Sequence, residues 1–229
     1  MSTKDEIHVH ESERKVYYKT ARKEYLTDQI IDLEWEAFAQ VENEGGRAQC
    51  QDDWDTFFVM RKSQYMTWTV ELLESYREDL RKAKAIGWNL MTEKYGRMME
   101  DTDPEKYASM ERYFPKIAVD KKVIIEEIIK IQVRWMEEFT EKYPYLAANS
   151  RSVYSFQDEY NSTSFETYLR GELSTYSDQT LKLYGGLIVE YLREEKNLTT
   201  NIMTNIVNLY GYEKLRDAEK FLKKSSFEK

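Results

Sequence analysis

The strongest folding signal in the chain is VDKKVIIEEIIKIQVRWMEEFTEK, residues 119–142. Its large apolar residues recur at intervals of three or four, which places them on one face of an α-helix. The same spacing continues through most of the sequence, which contains only 3 Pro and 8 Gly. Helices are therefore predicted instead of strands, and the fold class is all-α. The residues that define this first apolar face are Ile124, Ile128, Ile131, Trp135 and Phe139.

Working outward from this helix, the pattern predicts a single-domain helical bundle of about six or seven helices. Their bounds are roughly 22–43, 53–86, 88–100, 104–112, 119–142, 164–196 and 198–222. The pattern also accommodates a break within 53–86 and a kink or split at Gly185-Gly186. Residues 21–224 form the domain, and residues 1–20 form a mobile N-terminal tail. The longest irregular segment runs from Tyr143 to Ser162 and is either a lid over a pocket or a connection.

The composition restricts the environment and the partners. The chain of 229 residues carries 42 acidic and 34 basic residues, a net charge of −8. This charge disfavours attraction to phosphate backbones and anionic membranes, so we expect neither nucleic acid nor a membrane as the main partner, although a local basic cleft is compatible with it. Cys50 is the only cysteine, and the N-terminus lacks the apolar run of a signal peptide. A cytoplasmic protein without disulfides or a transmembrane helix is predicted.

Four predicted helices place polar side chains on their apolar faces. Arg61, for example, falls at the centre of a face that otherwise carries aromatic residues. A charge left unpaired in an apolar core is very costly, so the inward charges should contact one another, a ligand or a metal. Two interpretations remain open: a network that only fixes helix packing, and a ligand pocket in the bundle core. The inward polar residues are Glu34, Arg61, Gln64, Gln132 and Glu172.

The loop before residue 54 supplies further candidate groups. Cys50 precedes a predicted helix start, where the helix dipole favours the thiolate and makes it a candidate nucleophile. The usual base is lacking nearby, because the two histidines, His8 and His10, lie in the predicted tail. Asp52 and Asp53 offer oxygen ligands for Mg²⁺, with helix capping as the alternative use of one of them. No cofactor is otherwise indicated, and Mg²⁺ remains the candidate metal.

Arginines suggest the chemistry of a ligand. Arg47, Arg61 and Arg170 would together bind the carboxylate or phosphate of an anionic small molecule, with surface charge and capping as the alternative roles. Aromatic residues would supply flat pocket walls, although most of the 18 Tyr should be ordinary core. The predicted ligand-binding residues are Arg47, Gln51, Arg61, Gln64, Trp68, Gln132, Tyr168 and Arg170, and the predicted catalytic residues are Glu34, Glu172, Asp52, Asp53 and Cys50.

Three phrases resemble a known family. They are Gly-Gly-Arg-Ala-x-Cys-Gln-Asp-Asp at 45–53, Met-Arg-x-Ser-Gln at 60–64 and Ser-Thr-Ser-Phe-Glu-Thr-Tyr-Leu-Arg-Gly-Glu-Leu-Ser-Thr-Tyr-Ser at 162–177. The sequence is similar, from about residue 24 to 219, to a family of bacterial proteins of unknown function. The resemblance implies a single domain of bacterial type and brings no activity with it.

The residues therefore lead to two functional hypotheses. The first is a site framed by the 44–53 loop, the face carrying Arg61 and Gln64, and residues 164–176. It would bind an anionic small molecule and act, if it is catalytic, through acid/base or Mg²⁺-assisted chemistry, with Glu34 and Glu172 as acid/base groups or metal ligands. The alternative is a noncatalytic protein–protein interaction module whose buried polar network is structural. A pocket lined by the inward polar groups favours the first, whereas side chains closed on one another favour the second.

Overall fold

The structure is a computed structural model that describes residues 11–43, 45–159 and 162–226. Helices account for most of these residues, and within these ranges the only β-type pairing is an isolated bridge between Glu159 and Ser162. The all-α class predicted from the sequence is confirmed.

The described ranges contain eleven α-helices, so the predicted number of six or seven is wrong. In chain order they are α1 (Glu11–Ala39), α2 (Trp54–Tyr65), α3 (Val70–Ala85), α4 (Leu90–Thr102), α5 (Pro104–Met110), α6 (Val119–Lys142), α7 (Pro144–Ala147), α8 (Phe165–Thr175), α9 (Asp178–Arg193), α10 (Leu198–Leu209) and α11 (Leu215–Ser226). Short 3-10 turns lie at Gln49–Asp52, Glu111–Tyr113 and Ser155–Gln157.

Three of the predicted helices are each two helices. The helix predicted at 53–86 is divided before Thr69, whose side chain accepts a hydrogen bond from the Leu72 amide and starts α3. The helix predicted at 164–196 is divided at Ser177, which caps α9 through the Thr180 amide, and α9 continues through Gly185-Gly186 without a break. Gly211, with a φ of +90°, lies between α10 and α11 in the stretch predicted as 198–222. Such caps satisfy the free amides of a new helix, so an apolar pattern can continue across the break.

The chain ends differ from the predicted bounds. Residues 11–20, which the sequence assigned to the N-terminal tail, belong to α1, and residues 1–10 lie outside the described residues together with His8 and His10. α1 ends at Ala39 instead of residue 43, while α6 has the predicted bounds. None of the helices in the described ranges has both the length and the hydropathy that a bilayer crossing requires.

A large apolar cluster holds α1, α2, α3, α6, α8 and α9 together. Trp68, Leu72 and Leu173 are within it and at most 1% exposed. A second cluster joins the end of α6 to α7, α10 and α11, and a third joins α1 to the start of α4. These clusters bury most of the residues that the sequence pattern placed on apolar helix faces, and such burial is the main stabilising term of folding. Ile124 is an exception: the sequence placed it on the apolar face of α6, but it is 48% exposed, and Ile125 and Ile129 are buried instead.

α4 and α8 pack closely against each other at Gly171. A Cβ atom at this position would lie 2.7 Å from Met98 Cγ and 2.9 Å from the carbonyl oxygen of Lys94. Both distances are shorter than carbon–carbon or carbon–oxygen contact allows, so a glycine is needed here. The close approach brings Lys94 on α4 next to Glu172 on α8, and these two residues belong to a group of buried charges in the bundle.

Candidate functional site

Arg61 lies at the centre of a buried charge network. Its guanidinium nitrogens Nε and Nη2 donate to the two carboxylate oxygens of Glu34 on α1, with an Nε–Oε2 distance of 2.7 Å. Nη2 also donates to the hydroxyl of Tyr65 at 2.5 Å. Nη1 donates to Gln64 Oε1 at 3.0 Å and to Glu172 Oε2 at 3.2 Å. All five N–H groups of the guanidinium therefore have acceptors within the protein.

Glu172 links this arginine to a second buried cation. Lys94 Nζ donates to Glu172 Oε2 at 2.6 Å, and Gln64 Nε2 donates to Oε1 at 2.9 Å. Tyr176 donates its hydroxyl to the same Oε1 at 3.0 Å. The Lys94 ammonium also lies 3.6 Å from the centre of the Tyr168 ring, close enough for a cation–π interaction. Lys94 and Glu172 are 2% and 3% exposed.

The two acids balance the two bases within this core. We call Glu34, Arg61, Lys94 and Glu172 the core tetrad. Burial by itself would raise the pKa of Glu172, but Arg61 and Lys94 outweigh it and hold this pKa well below its ordinary value. Burial would also lower the pKa of Arg61, whereas Glu172 and Glu34 raise it well above its ordinary value. The ionised forms of Glu172 and Arg61 are thus the stable ones, as expected when buried charges are paired.

Buried tyrosines surround the core tetrad. Tyr76 on α3 donates its hydroxyl to Glu34 Oε1 at 2.7 Å, as Tyr176 does to Glu172. Burial raises the pKa of Tyr65, Tyr76 and Tyr176 well above the ordinary value, and Glu34 or Glu172 raises each further. These hydroxyls therefore stay protonated at neutral pH and act as hydrogen-bonding partners of the charges.

Two buried N–H donors, on Trp68 and Gln132, lie beside the tyrosines that surround the core tetrad. The indole of Trp68 packs against the rings of Tyr65 and Tyr176, with centroid distances of 4.9 and 6.1 Å. Gln132 on α6 accepts a hydrogen bond from Tyr184 at 3.1 Å, and the Tyr184 ring lies 5.7 Å from Trp68. Trp68 Nε1 and Gln132 Nε2 are buried and have no hydrogen-bond partner among the described atoms. Ordered water commonly satisfies such groups.

The predicted loop residues form a separate polar cluster. Arg47 bonds to Asp52 Oδ1 at 2.8 Å and to the carbonyl oxygens of Ala39 and Gln51. Gln51, 1% exposed, bonds through its amide nitrogen to the Phe38 and Val41 carbonyls at 2.8 and 2.9 Å. These bonds anchor the loop to the end of α1 and occupy the groups that the sequence assigned to ligand binding.

Two other predicted site residues of this loop, Asp53 and Cys50, form no hydrogen bond with the core tetrad in the described ranges. The Asp53 carboxylate accepts a hydrogen bond from the Thr56 amide at 3.0 Å and caps α2, one of the two roles expected for the loop aspartates. Hydrogen bonding from Thr56 lowers the pKa of Asp53. Cys50 is an exposed free thiol. In the described ranges, no three His, Cys, Asp or Glu side chains are arranged to hold a metal ion.

Arg170 binds other carboxylates than those of the core tetrad. Its guanidinium bonds to Glu126 at 2.8 Å, to Glu166 at 2.8 Å and to Asp101 at 3.2 Å. Arg47, Arg61 and Arg170 thus have separate sets of partners. The three guanidinium groups do not share a common hydrogen-bonding partner among these contacts, so the arrangement differs from the joint anion clamp that the sequence suggested.

Tyr168 and Tyr95 lie near the core tetrad and interact with charged groups around it. Tyr168 and Gln64 are only partly buried, and the guanidinium of Arg151 lies 4.4 Å from the centre of the Tyr168 ring. Burial raises the pKa of Tyr95, and this pKa also responds to Tyr168, Arg151, Cys50 and Arg61 in that order. Tyr95 is therefore within electrostatic range of both the loop and the core.

The core tetrad is closed by its own side chains. Two cavities in the described part of the chain have volumes of about 280 and 230 Å³, and neither is lined by Glu34, Arg61, Lys94 or Glu172. The larger lies among α3, α4, α6 and the turn between α8 and α9. The smaller is near Met66 and Asn205.

Lys94 is the residue that the sequence-based analysis missed. It occupies the apolar face of α4 together with Leu90, Met91 and Met98, at the intervals of three and four used for the other helices. Applying the same wheel to α4 would have identified it. Tyr65 and Tyr176 were placed on the correct faces, but only as apolar core, because the sequence does not show which hydroxyls meet a charge.

Comparison with known proteins assigns the chain to a family. The family model described as "Protein of unknown function (DUF4125)" matches residues 24–220. No curated protein and no solved structure matches the chain. The chain therefore belongs to the DUF4125 family, and the family description carries no activity.

Proposed function

We propose that this member of the DUF4125 family is a noncatalytic binding module whose core tetrad is structural. The proposal is carried by the saturation of Arg61, whose five N–H groups all have acceptors on Glu34, Gln64, Tyr65 and Glu172. A ligand would have to displace one of these partners and leave it buried without a hydrogen bond, which is costly.

The acid groups also argue against proton transfer. A general acid or base works best when its pKa is near the working pH. The pKa of Glu172 is instead held well below its ordinary value, because Arg61 and Lys94 outweigh the effect of burial. Both oxygens of Glu34 accept hydrogen bonds, from Arg61 and Tyr76. Glu172 is thus held in its ionised form, and the oxygens of Glu34 are occupied by these donors.

The location of the network suits a packing role. It joins α1, α2, α4 and α8 through side chains that reach across the bundle, and Tyr76 adds α3. Apolar contacts alone tolerate several helix registers, whereas a buried ion pair has one satisfied arrangement. On this proposal the core tetrad selects one packing, and binding takes place elsewhere on the bundle.

A second candidate function retains the core as a ligand site for an anionic small molecule. The partial exposure of Tyr168 and Gln64 favours it, because displacement of these two side chains would open a path to Arg61 and Lys94. In that case Glu34 or Glu172 would act as acid/base group, with or without Mg²⁺. This candidate needs a rearranged network, so the geometry supports it less well.

A thermal-shift screen with phosphorylated metabolites, carboxylates and Mg²⁺ distinguishes the two. The test variant is Gln64→Ala, which removes a partly exposed member of the network and leaves all four charges in place. The matched control is Lys62→Ala on the same helix, which removes an ion pair with the exposed Asp28. The structural proposal predicts that any ligand-induced stabilisation persists in both variants. Stabilisation that disappears in Gln64→Ala alone would refute it and establish the core site.

A further inference from the structure

We propose that the groove among α3, α4, α6 and the α8–α9 turn binds a small organic anion that carries an apolar group. The inference deepens the proposed function, on which it rests, by locating the binding site and naming the chemical class of the ligand. We call this cavity the α3/α6 groove.

The size and walls of the α3/α6 groove suit a small molecule with an apolar part. Its volume is about 280 Å³, close to the lower end of the range of about 300–1,000 Å³ that is usual for ligand sites. Trp88, Leu90 and Ile117 supply apolar wall, and the side chain of Ile86 at the edge is 81% exposed. An aromatic or short aliphatic group would cover this surface.

Basic side chains outnumber acidic ones in the groove. Lys82, Arg97, Lys116 and Lys121 line it, against two acids. This excess is local, since the chain as a whole has a charge of −8. A concave surface with a surplus of one sign attracts ligands of the opposite sign.

The two acids do not cancel this surplus at the surface, because each is already engaged. Asp79 accepts hydrogen bonds from the Ser177 amide at 3.0 Å and from Thr180 Oγ1 at 2.6 Å. Glu93, 3% exposed, accepts from Trp88 Nε1 at 2.6 Å and from Arg97 Nε at 2.8 Å. The pair of Glu93 and Arg97 is neutral overall and belongs to the floor of the groove.

The lysines supply the accessible positive charge. Lys116 is exposed and forms no ion pair with any residue that the structure describes. The nearest carboxylate of Lys82 is that of Glu78, at 3.8 Å, and the Lys82 side chain is 73% exposed. Lys121 donates to the Tyr176 carbonyl at 2.5 Å and lies 3.5 Å from Asp178, so it is partly neutralised. Lys82 and Lys116 are thus the principal candidates for an anion contact.

Helix termini reinforce the same sign. α4, α6 and α9 begin beside the groove, while α3 and α8 end there. The start of a helix carries a partial positive charge and its end a partial negative one. Three N-termini face two C-termini, so the backbone adds only a small contribution to the attraction that the lysines exert on an anion.

Nuclear magnetic resonance of the five tryptophan indoles tests the inference on the full chain. Trp88 lines the α3/α6 groove, whereas Trp68 packs beside the core tetrad, so their indole N–H signals report the two regions separately. Trp88→Phe and Trp68→Phe variants assign these signals. The probes are phenyl phosphate, benzoate, neutral benzamide and inorganic phosphate at millimolar concentration.

We expect phenyl phosphate, benzoate or both to shift the Trp88 signal saturably. Neutral benzamide lacks the negative charge and inorganic phosphate lacks the apolar group, so each should bind more weakly than an aromatic anion that has both. Comparison of the two aromatic anions identifies the preferred headgroup. Lys82→Gln and Lys116→Gln should each weaken binding about two- to fivefold, which is the usual strength of one exposed ionic contact. Lys122→Gln is the matched control, because Lys122 is exposed on the same helix as Lys121 and does not line the groove.

Two different results would overturn the inference. If none of the probes moves the Trp88 signal, or if the lysine substitutions leave the affinity unchanged, the groove is not the site, and the structural role of the core tetrad stands. If the probes move the Trp68 signal and Gln64→Ala abolishes binding, the ligand occupies the core. In that case the inference and the proposed function both fail.

Discussion

The buried ion pair between Lys94 and Glu172 should be far more important for stability than an exposed pair with the same geometry. Lys94 Nζ lies 2.6 Å from Glu172 Oε2, and Lys84 Nζ lies 2.6 Å from Glu36 Oε2. The side chains of the first pair are 2% and 4% exposed, and those of the second are 57% and 50% exposed. Lys94→Met and Lys84→Met therefore remove the same contact in opposite environments.

The magnitude follows from what each substitution leaves behind. Removing one partner of a buried ion pair costs about 3–5 kcal/mol, because the other charge stays buried. Glu172 would retain Arg61, Gln64 and Tyr176, so we expect the lower end, about 3 kcal/mol, for Lys94→Met. An exposed pair contributes about 0–1 kcal/mol, which is the loss expected for Lys84→Met.

A double-mutant cycle isolates the pair itself. Glu172→Gln leaves Lys94 without its carboxylate, whereas the double variant Lys94→Met/Glu172→Gln removes both charges and leaves Glu34 paired with Arg61. The double variant should lose about 2 kcal/mol less than the sum of the single variants, within the usual range of coupling between neighbours.

Equilibrium urea unfolding at pH 7, followed by circular dichroism and by tryptophan fluorescence, gives the free energies of unfolding. Coincident transitions would justify the two-state treatment. The reasoning is refuted if Lys94→Met costs no more than Lys84→Met, or if the free energies of the two single substitutions add in the double variant.

Three further predictions concern pH, the α4–α8 contact and the cysteine. Because the pKa of Glu172 is lowered on folding, the stability it contributes is complete above its ordinary value of 4.5 and is lost as the pH falls below it. The difference in free energy of unfolding between the wild type and Glu172→Gln should therefore shrink as the pH falls from about 5 to about 2.5, because the unfolded chain protonates this carboxylate while the folded protein keeps it ionised; an unchanged difference would contradict this. Gly171→Ala should destabilise the protein by about 1–3 kcal/mol through overlap with Met98 and the Lys94 carbonyl, whereas Gly186→Ala, with no atom within 4 Å, should stabilise α9 by up to about 1 kcal/mol in thermal unfolding. The exposed Cys50 should react with a thiol reagent in the folded protein, and Cys50→Ser should change stability by less than about 0.5 kcal/mol.

The inward-facing charges were predictable because helical periodicity is a local property. Glu34, Arg61 and Glu172 lie on apolar faces in the sequence, and the structure brings them together through direct hydrogen bonds. An unpaired charge in an apolar core is so costly that a meeting of opposite charges was expected. The all-α class was recognisable for the same reason, since it follows from the helical periodicity of the apolar residues.

Helix breaks were less predictable. The apolar pattern continues across Thr69 and Ser177, where a side-chain cap begins a new helix without interrupting the buried face. Lys94 was missed because lysine is usually solvent-exposed, and its burial here depends on Glu172, which is 78 positions away in the sequence. Whether Arg47 and Arg170 meet Arg61 depends on the path of the chain in three dimensions. Helical periodicity describes only one helix at a time and does not predict that path.

The most direct test of the structural role of the core tetrad is to observe the guanidinium group of Arg61 in solution. In protein with ¹⁵N-labelled arginine, assigned with an Arg61→Lys variant, the saturated network predicts an Arg61 Nε–H signal that exchanges slowly with water. The signal should also keep its position when phosphate, aromatic carboxylates or Mg²⁺ are added. Fast exchange with water, or a saturable shift of this signal with any of these ligands, would show that the core opens to bind them and would contradict the account.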